Sequence, residues 1–580
     1  MEIGNVALQA KRGPATSEAA VDPVTLEVIR HKLEGIANEM EHALLHSSFS
    51  AIVKEGFDAS ASLFTTAGET LAQSVAIPIH LATLIPIIQR ILLEFPIETM
   101  RDGDVYIMND PYMGGTHLPD LAIIAPVFGK SGKPIALAAT LSHHQDVGGM
   151  SPGSIPTHAT EIWQEGIRVP PLKMYDAGKL NDTLVKLLRL NVRIPDELMG
   201  DLDGQVAGCK IGIRRLRDLE AVYGTDMLEH AFESLLVFSE RMTRHALNAI
   251  PAGTYKSTGW LDNDGVDLEK RVKIQVAVTV GDGRFHVDLT GSSEQLRGPF
   301  NCVPSGSQAA AYFAVRALTD PNIPTNGGCF RPVTLTLPKG SLVNPECPAP
   351  VCSRTSTIKR ITTCILAAFK NVLPDRVGAD PAGTELAVTF GGRTDEGKTY
   401  VVGQLIVGGG GASQFGDGVD VIETDATNCM NYPVEAIEMA APLRVNRMSL
   451  RQDSGGDGQF RGGLGIVKEF ELLSDRATLT HRGECHYYAP AGAFGGYPGA
   501  MARGRIMRRD DSIEEIPSKV VTELRRGDRL IIETPGGGGW GDPVRRSPEL
   551  RRQDIANGKC SGGRHGNDAA GSSGGPTVAS

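Results

Sequence analysis

The sequence reads NDPYMGGTHLPD over residues 109–120 and SHHQDVGG over residues 142–149. Between these polar segments lie two short apolar runs, 121–128 and 135–141, which have the length and flanking residues of buried strands. A hairpin of these two strands would bring His143 or His144 alongside His117 and Asp120. The stretch therefore predicts a buried sheet that carries imidazole and carboxylate groups at one end.

Imidazole and carboxylate groups gathered in this way indicate a divalent metal site. Such a donor set favours Zn, Mn or Fe(II) over Ca and over metals that prefer thiolates. Asp146 is a candidate for orienting a ligating imidazole. Upstream, either Glu55 or Asp58 is a candidate fourth ligand, the alternative being an exposed charge cluster after a helix. His80 has the surroundings of a histidine that is satisfied in a core.

The sequence outside this stretch predicts both helices and strands. Asp22 can cap a helix over 23–50, because Pro23 suits a first turn and the apolar residues then repeat at intervals of three and four. Residues 182–250 have helical spacing. The other predicted elements are a strand at 105–108, a hairpin of 272–280 with 284–289, helices at 304–318 and 355–372, and short strands within the Gly-rich residues 386–540.

We predict an α+β, multidomain protein with an N-terminal metal-binding domain, a helical block and a β-rich, Gly-rich C-terminal region. The 580 residues exceed the roughly 150 of a typical domain. The predicted divisions are a disordered N-terminus (1–21), a metal-binding catalytic domain with the helical block (22–250), β-rich mixed domains (251–545) and a largely disordered tail (546–580). From residue 557 the composition is too poor in apolar side chains to offset the entropy of ordering.

Charge and composition argue against several classes of protein. The net charge is -10 and no basic stripe is present, so nucleic acid is not an expected ligand. Polar residues interrupt the longest apolar run, 76–95, and residues 1–20 lack an apolar signal region; we therefore expect a cytoplasmic protein without a membrane span. The nine cysteines form no CxxC pair, which favours reduced thiols.

The C-terminal glycine clusters do not match the phosphate loop GxxxxGK[ST]. Nucleotide binding is therefore not supported. Tight turns and close approaches between backbone segments are the role that we expect for these glycines.

Several long motifs, in order along residues 22–545, resemble the hydantoinase B family. This family includes N-methylhydantoinase B subunits, the C-terminal part of 5-oxoprolinases, and large subunits of acetone and acetophenone carboxylases. The motifs are DPVTLEVI from Asp22, NDPYMGGTHLPD from Asn109, HHQDVGG from His143, NGGCFRP from Asn326, DSGGDGQFRGGLG from Asp453 and TPGGGGWGDP from Thr534.

The resemblance implies a divalent metal, zinc or manganese with iron as a further candidate. Its implied ligands are His117, Asp120, His143 and an upstream residue that maps to Asp58, with Glu55 as the alternative. Duties as general base or in orienting the ligands would fall to residues near the ligand motifs. The candidates for these duties are His144, Asp146 and Glu165.

The resemblance also implies a hetero-oligomer with a hydantoinase A type subunit. That partner would bind ATP and phosphorylate the oxygen of a cyclic amide, and the activated ring would be opened at the metal site of this chain. The rival hypothesis is a subunit of an ATP-dependent ketone carboxylase, in which bicarbonate is obligatory and the product has a new C–C bond. A third hypothesis is a scaffold without catalytic activity.

Overall fold

The structure is a computed structural model that describes residues 21–383 and 386–562. The helices are α1 (Pro23–Ser47), α2 (Ala51–Lys54), α3 (His80–Glu94), α4 (Asp182–Asn191), α5 (Pro195–Tyr223), α6 (Thr225–Asn248), α7 (Pro304–Leu318), α8 (Arg354–Ala368), α9 (Val434–Ala440) and α10 (Pro548–Ala556). The strands are β1 (Ala59–Phe64), β2 (Thr70–Gln73), β3 (Val105–Met108), β4 (Asp120–Phe128), β5 (Pro134–His143), β6 (Leu172–Asp176), β7 (Lys179–Leu180), β8 (Gly253–Leu261), β9 (Val272–Gly281), β10 (Arg284–Asp288), β11 (Val333–Thr336), β12 (Leu386–Arg393), β13 (Thr399–Ile406), β14 (Leu443–Leu450), β15 (Ile466–Leu472), β16 (Arg476–Arg482), β17 (Arg503–Met507), β18 (Ile513–Ile516), β19 (Lys519–Arg525) and β20 (Arg529–Glu533).

The predicted mixture of helices and strands is confirmed. The Asp22 carboxylate accepts a hydrogen bond from the Thr25 N–H at 2.9 Å, so it caps α1 as the sequence indicates. The helical block consists of α4, α5 and α6, and the predicted hairpin is β9 with β10. The change from helix to strand falls between Asn248 and Gly253, and the domain division at residue 250 stays a prediction.

The first sheet has seven antiparallel strands in the order β2-β1-β5-β4-β3-β6-β7. Helices α1 and α5 cover one face, and their apolar side chains join those of the sheet in one core. Gly208 and Gly212 let the two helices approach closely, since a Cβ at either position would meet Met40 within 3.0 Å. Helix α3 covers the opposite face. The predicted hairpin of β4 and β5 lies at the centre of this sheet.

Three further sheets form the rest of the molecule. One sheet has the strand order β11-β10-β9-β8, and α7 and α8 pack on one of its faces. The other two sheets, β13-β12-β16-β19 and β14-β15-β20-β17-β18, share one apolar core. Phe390 and Phe470 meet there with ring centroids 5.3 Å apart, as expected of a sandwich of two sheets. Among the described residues, we find no helix that is both long and apolar enough to cross a bilayer.

The Gly-rich segments pack backbone against backbone, as the sequence predicts. Residues 535–541 run between several partners, with hydrogen bonds from Gly537 N–H to the Gly463 carbonyl and from Gly538 N–H to the Asp380 carbonyl, each 2.9 Å long. A Cβ on Gly537 would lie 1.9 Å from the Gly410 oxygen, which leaves room for glycine alone. The amides that a phosphate loop would need are therefore used within the fold.

The C-terminal prediction requires a correction. We expected order to decline beyond residue 546, yet α10 spans Pro548–Ala556. The Asp554 carboxylate anchors it, since the Arg546 guanidinium donates to Asp554 at 2.5 Å and Arg461 forms an ion pair with it at 3.4 Å. A nearby contact with Arg546 and a contact with Arg461, 93 positions away in sequence, thus order a segment that looks unstructured by composition. The predicted disorder of residues 1–20 and 563–580 lies outside the described residues.

We predict that Gly537→Ala lowers the stability of the fold by roughly 3 kcal/mol or more, because the new Cβ forces two backbone segments apart. The matched control is Gly416→Ala in the same region, where a Cβ has no heavy atom within 4 Å among the described residues. Thermal midpoints by circular dichroism provide the measurement. Equal midpoints for the two variants would show that the close packing is not needed.

Candidate metal centre

The hairpin of β4 and β5 brings together the predicted ligands from its two ends. Asp120 begins β4, His143 ends β5, and the two are Cα partners in the sheet. His117 lies in the turn just before β4, and its ring centroid is 4.9 Å from that of His143. One candidate ligand atom from each of the three residues lies within 4.8 Å of the other two. The predicted set of His117, Asp120 and His143 thus lies in one buried cluster.

The contacts of His117 leave a lone pair that faces a carboxylate. Its Nδ1 lies 2.9 Å from the Cys352 carbonyl oxygen, which only accepts, so the imidazole proton is assigned to Nδ1. Its Nε2 then carries a lone pair and lies 3.0 Å from Asp120 Oδ1. Two acceptors at this distance repel each other unless a proton or a metal ion lies between them. Donation of the other ring N–H to a backbone carbonyl is also the usual arrangement for a metal-ligating histidine.

Arg354 keeps the Asp120 carboxylate ionised. Its Nη2 donates to Asp120 Oδ2 at 2.6 Å, and the Thr116 hydroxyl donates to the same oxygen. Burial by itself would raise the pKa of Asp120, but the neighbouring Arg354 charge holds that pKa well below its ordinary value. Oδ1 is therefore available as an anionic ligand.

The imidazoles are kept neutral, the form that binds a metal. Burial, followed by the nearby Arg354 charge, lowers the pKa of His117. Burial lowers the pKa of His143 well below its usual value. His143 Nδ1 is buried and makes no hydrogen bond to the described residues. The cluster thus offers two neutral imidazoles and one ionised carboxylate, and one imidazole, that of His143, has a buried ring nitrogen without a hydrogen bond to the described residues. This set of groups fits a divalent ion.

Of the two upstream carboxylates, the structure places Asp58 at the centre. Asp58 lines the same cavity as His117 and His143, and its backbone carbonyl accepts from the His143 N–H at 3.0 Å. Glu55 ends α2, is partly exposed, and is not among the described residues that line the cavity. This placement favours Asp58 over Glu55 as the fourth ligand.

His144 and Asp146 are not brought to the cluster. His144 points towards α5, where its Nε2 lies 3.0 Å from Gln205 Oε1, because successive residues of an extended chain face opposite sides. Asp146 accepts from the backbone N–H groups of Gly148, Gly153 and Arg193, each at 3.0 Å, and from the Arg193 guanidinium. These contacts give Asp146 the role of ordering its loop, and neither residue lines the described part of the cavity wall.

Glu165 acts on the cluster through the backbone. Its Oε1 accepts from the N–H groups of Val351 and Cys352 at 2.7 and 2.8 Å, and the Cys352 carbonyl in turn holds His117. Burial raises the pKa of Glu165 to about 8. The described lining of the cavity does not include Glu165, so the geometry gives it a positioning role rather than that of a general base.

Three cavity residues were missed or misjudged from sequence. His80, which we assigned to a core, lines the cavity with its Nε2 3.8 Å from Asp58 Oδ1. Burial lowers the pKa of His80 to about 4, so this imidazole is also neutral. Arg354 and Arg482 lie on the cavity wall as well. Each is far from the ligands in sequence, and no local motif marks either of them.

Comparison with known proteins shows the family to which this chain belongs. The family model described as hydantoinase B/oxoprolinase matches residues 22–543. The chain belongs to the hydantoinase B/oxoprolinase family. The B component of a putative D-/L-hydantoinase from Pseudomonas sp. (strain NS671) is 34% identical to this family member over 557 residues, covering 93% of each chain.

Solved structures share the fold of this hydantoinase B/oxoprolinase family member. The ATP-dependent caprolactamase from Pseudomonas jessenii superposes with a TM-score of 0.87 at 30% identity, covering 93% of this chain and 95% of that one. The nucleotide-free acetone carboxylase superposes with a TM-score of 0.85 at 21% identity, covering 93% of this chain and 78% of that one. The second likeness concerns the fold alone.

We predict that Glu165→Ala weakens divalent metal binding by about 10- to 100-fold, because loss of both Oε1 contacts releases the carbonyl that orients His117. Glu165→Gln keeps an oxygen that can accept from both N–H groups and should bind metal nearly as well as the wild type. Competitive titration of Zn²⁺ against a chromophoric chelator provides the measurement. Equal affinities for the alanine and glutamine variants would contradict the positioning role.

Proposed function

We propose that this chain is the metal-bearing catalytic subunit of an ATP-dependent cyclic-amide hydrolase and that it works with an A-type ATPase subunit. The observation that carries the proposal is the facing pair of acceptors, His117 Nε2 and Asp120 Oδ1, 3.0 Å apart beside His143. A site of this kind suits Lewis-acid hydrolysis. The names of the relatives support the substrate class, because hydantoins and caprolactam are both cyclic amides.

The need for ATP has a chemical reason. An unstrained amide is a poor electrophile, and phosphorylation of its oxygen makes the amide carbon more reactive towards water. Addition of water and cleavage of the C–N bond then give an acyl phosphate, from which a second water molecule releases inorganic phosphate. No phosphate loop is present in the sequence, and the backbone amides of residues 537 and 538 are engaged within the fold. ATP binding is therefore assigned to the partner subunit. The name of the Pseudomonas relative, which describes one component of a larger hydantoinase, agrees with this division of labour.

Within this chain, the proposed ligands are His117, Asp120, His143 and Asp58. A bound divalent ion would lower the pKa of a water molecule and polarise the bond to be cleaved. His80 lies beside the Asp58 carboxylate, with its Nε2 3.8 Å from Asp58 Oδ1. His117 is fixed in its orientation by the Cys352 carbonyl. The ligands are thus set before substrate arrives, as catalysis by positioned groups requires.

A ketone carboxylase is the second candidate function. The fold shared with acetone carboxylase is consistent with it. The relative that is 34% identical and the structure that is 30% identical carry the names of a hydantoinase component and a caprolactamase, so we rank cyclic-amide hydrolysis first.

The proposal is tested by co-expressing the full chain with an A-type subunit and assaying hydantoins, lactams and ketones, with and without bicarbonate. We predict that ADP and a ring-opened product form together without bicarbonate. His143→Ala should reduce product to background because a ligand is lost. The control His144→Gln should keep most of the activity, since His144 faces α5.

Two results would contradict this assignment. An obligatory need for bicarbonate with a carboxylated product would establish the carboxylase instead. Full activity of His143→Ala would remove the metal cluster from the mechanism.

A further inference from the structure

The side of the cavity that faces the proposed ligands is rich in hydrogen-bond donors. We call this surface the donor wall; it consists of Arg354, Thr355, Gln404 and Arg482. All four residues are at least 95% buried. Long polar side chains are seldom buried to this degree unless they have a partner.

Three separate elements build the donor wall, and Gln404 lies on one of them, β13. Arg482 ends β16 and is the Cα partner of Ala387 on β12. Along β12, Val388 faces the core of the sandwich, while its neighbours Ala387 and Thr389 line the cavity, as the alternation of a strand requires. Arg354 and Thr355 belong to the first turn of α8, a helix of 15 residues whose positive end thus lies at the cavity.

The contacts of Gln404 and Arg354 leave donors rather than acceptors at the cavity. Lys468 Nζ donates to Gln404 Oε1 at 2.7 Å, so the amide oxygen is occupied and the NH₂ group remains, with only a 3.4 Å contact to the Gly403 carbonyl. Arg354 Nη2 is held by Asp120, whereas Arg354 Nε is buried and has no hydrogen-bond partner in the described chain. Buried donors of this kind are costly unless a ligand or water accepts from them.

The charges at the cavity point to an anionic ligand. Asp58 and Asp120 contribute two negative charges, and Arg354 and Arg482 contribute two positive charges. The charges of these four side chains thus sum to zero before a metal ion binds. A bound divalent ion would raise the net charge to +2. A buried excess of charge must be compensated by a ligand.

We propose that the donor wall is a receptor for a tetrahedral oxyanion of the phosphate class, either inorganic phosphate or the phosphoryl group of an activated substrate. The planar fork of a guanidinium matches the oxygens of phosphate, and a helix N-terminus adds to the attraction. A dianion with several oxygens matches the charge and the number of donors better than a carboxylate does. The assignment rests on the proposed function, because it names the group by which the activated ring would be held.

Phosphate binding by the full chain alone tests this inference without turnover. Isothermal titration calorimetry with inorganic phosphate, with and without Zn²⁺, is performed on the wild type and on Arg482→Gln. The matched control is Arg476→Gln, at the other end of β16, where the side chain is 73% exposed. A parallel titration with acetate represents the carboxylate end of a ring-opened product.

We expect millimolar or tighter phosphate binding by the wild type and little effect of acetate. Arg482→Gln should weaken phosphate binding about tenfold or more, because a charge-assisted contact is lost, while Arg476→Gln should change it less than about twofold. If Arg482→Gln does not fold, Arg482→Lys keeps the charge without the fork, and its binding should fall between those of the wild type and the metal-free protein.

Several outcomes would overturn the inference. These are no phosphate binding by the metal-loaded wild type, equal losses in Arg482→Gln and Arg476→Gln, and acetate binding as tight as phosphate binding. The two proposals can fail separately. If the ring is opened with the partner subunit present, but the Arg482 variant binds phosphate as the wild type does, the proposed function stands and this inference is rejected. Phosphate binding that depends on Arg482, without ring opening, would do the reverse.

Discussion

A buried lone pair on His117 and a buried oxygen of Asp120 face each other at 3.0 Å, and much of the surrounding structure keeps them in that arrangement. The Cys352 carbonyl accepts a hydrogen bond from the protonated Nδ1 of the imidazole. Arg354 takes the other oxygen of the carboxylate. Two acceptors held in this way repel each other unless a cation lies between them. The arrangement therefore favours the binding of a positive ion.

The centre is assembled from parts of the chain that are distant in sequence. The central hairpin of the first sheet supplies the ligands. The apolar cores on the two faces of that sheet fix where the strands of the hairpin end. Helix α8 brings Arg354 to Asp120, 234 positions away in sequence. The outer face of the β12 and β16 sheet closes the cavity with Arg482. Each element also packs in its own apolar core, which explains how polar groups stay buried and fixed at the junction.

The sequence predicts the elements and the ligand cluster well because both depend on local patterns. The caps, the apolar periods and the flanking turns locate α1, β4 and β5 to within a few residues. The spacing of His117 and Asp120 before β4, and of His143 at the end of β5, then follows from one hairpin. A single sequence contains enough information to bring His117 and Asp120 together with one of the two adjacent histidines, His143 or His144.

Contacts between distant segments could not be predicted in the same way. His80 has apolar neighbours in sequence, and only the fold shows that it lies beside Asp58. The choice between His143 and His144 depends on which way the end of β5 faces, which residue spacing leaves open. Helix α10 is ordered by the pairing of Asp554 with Arg546 and Arg461, a tertiary effect that composition cannot reveal.

X-ray absorption at the edge of the metal that the purified protein carries tests the central claim most directly. We predict one divalent ion per chain, with two imidazole nitrogens and carboxylate oxygens at about 2.0–2.2 Å if the ion is zinc. We also expect no sulfur ligand, although the chain has nine cysteines and Cys429 lines the cavity. A shell of sulfur at about 2.3 Å, or a spectrum without imidazole scattering, would contradict a metal centre built on His117, Asp120 and His143.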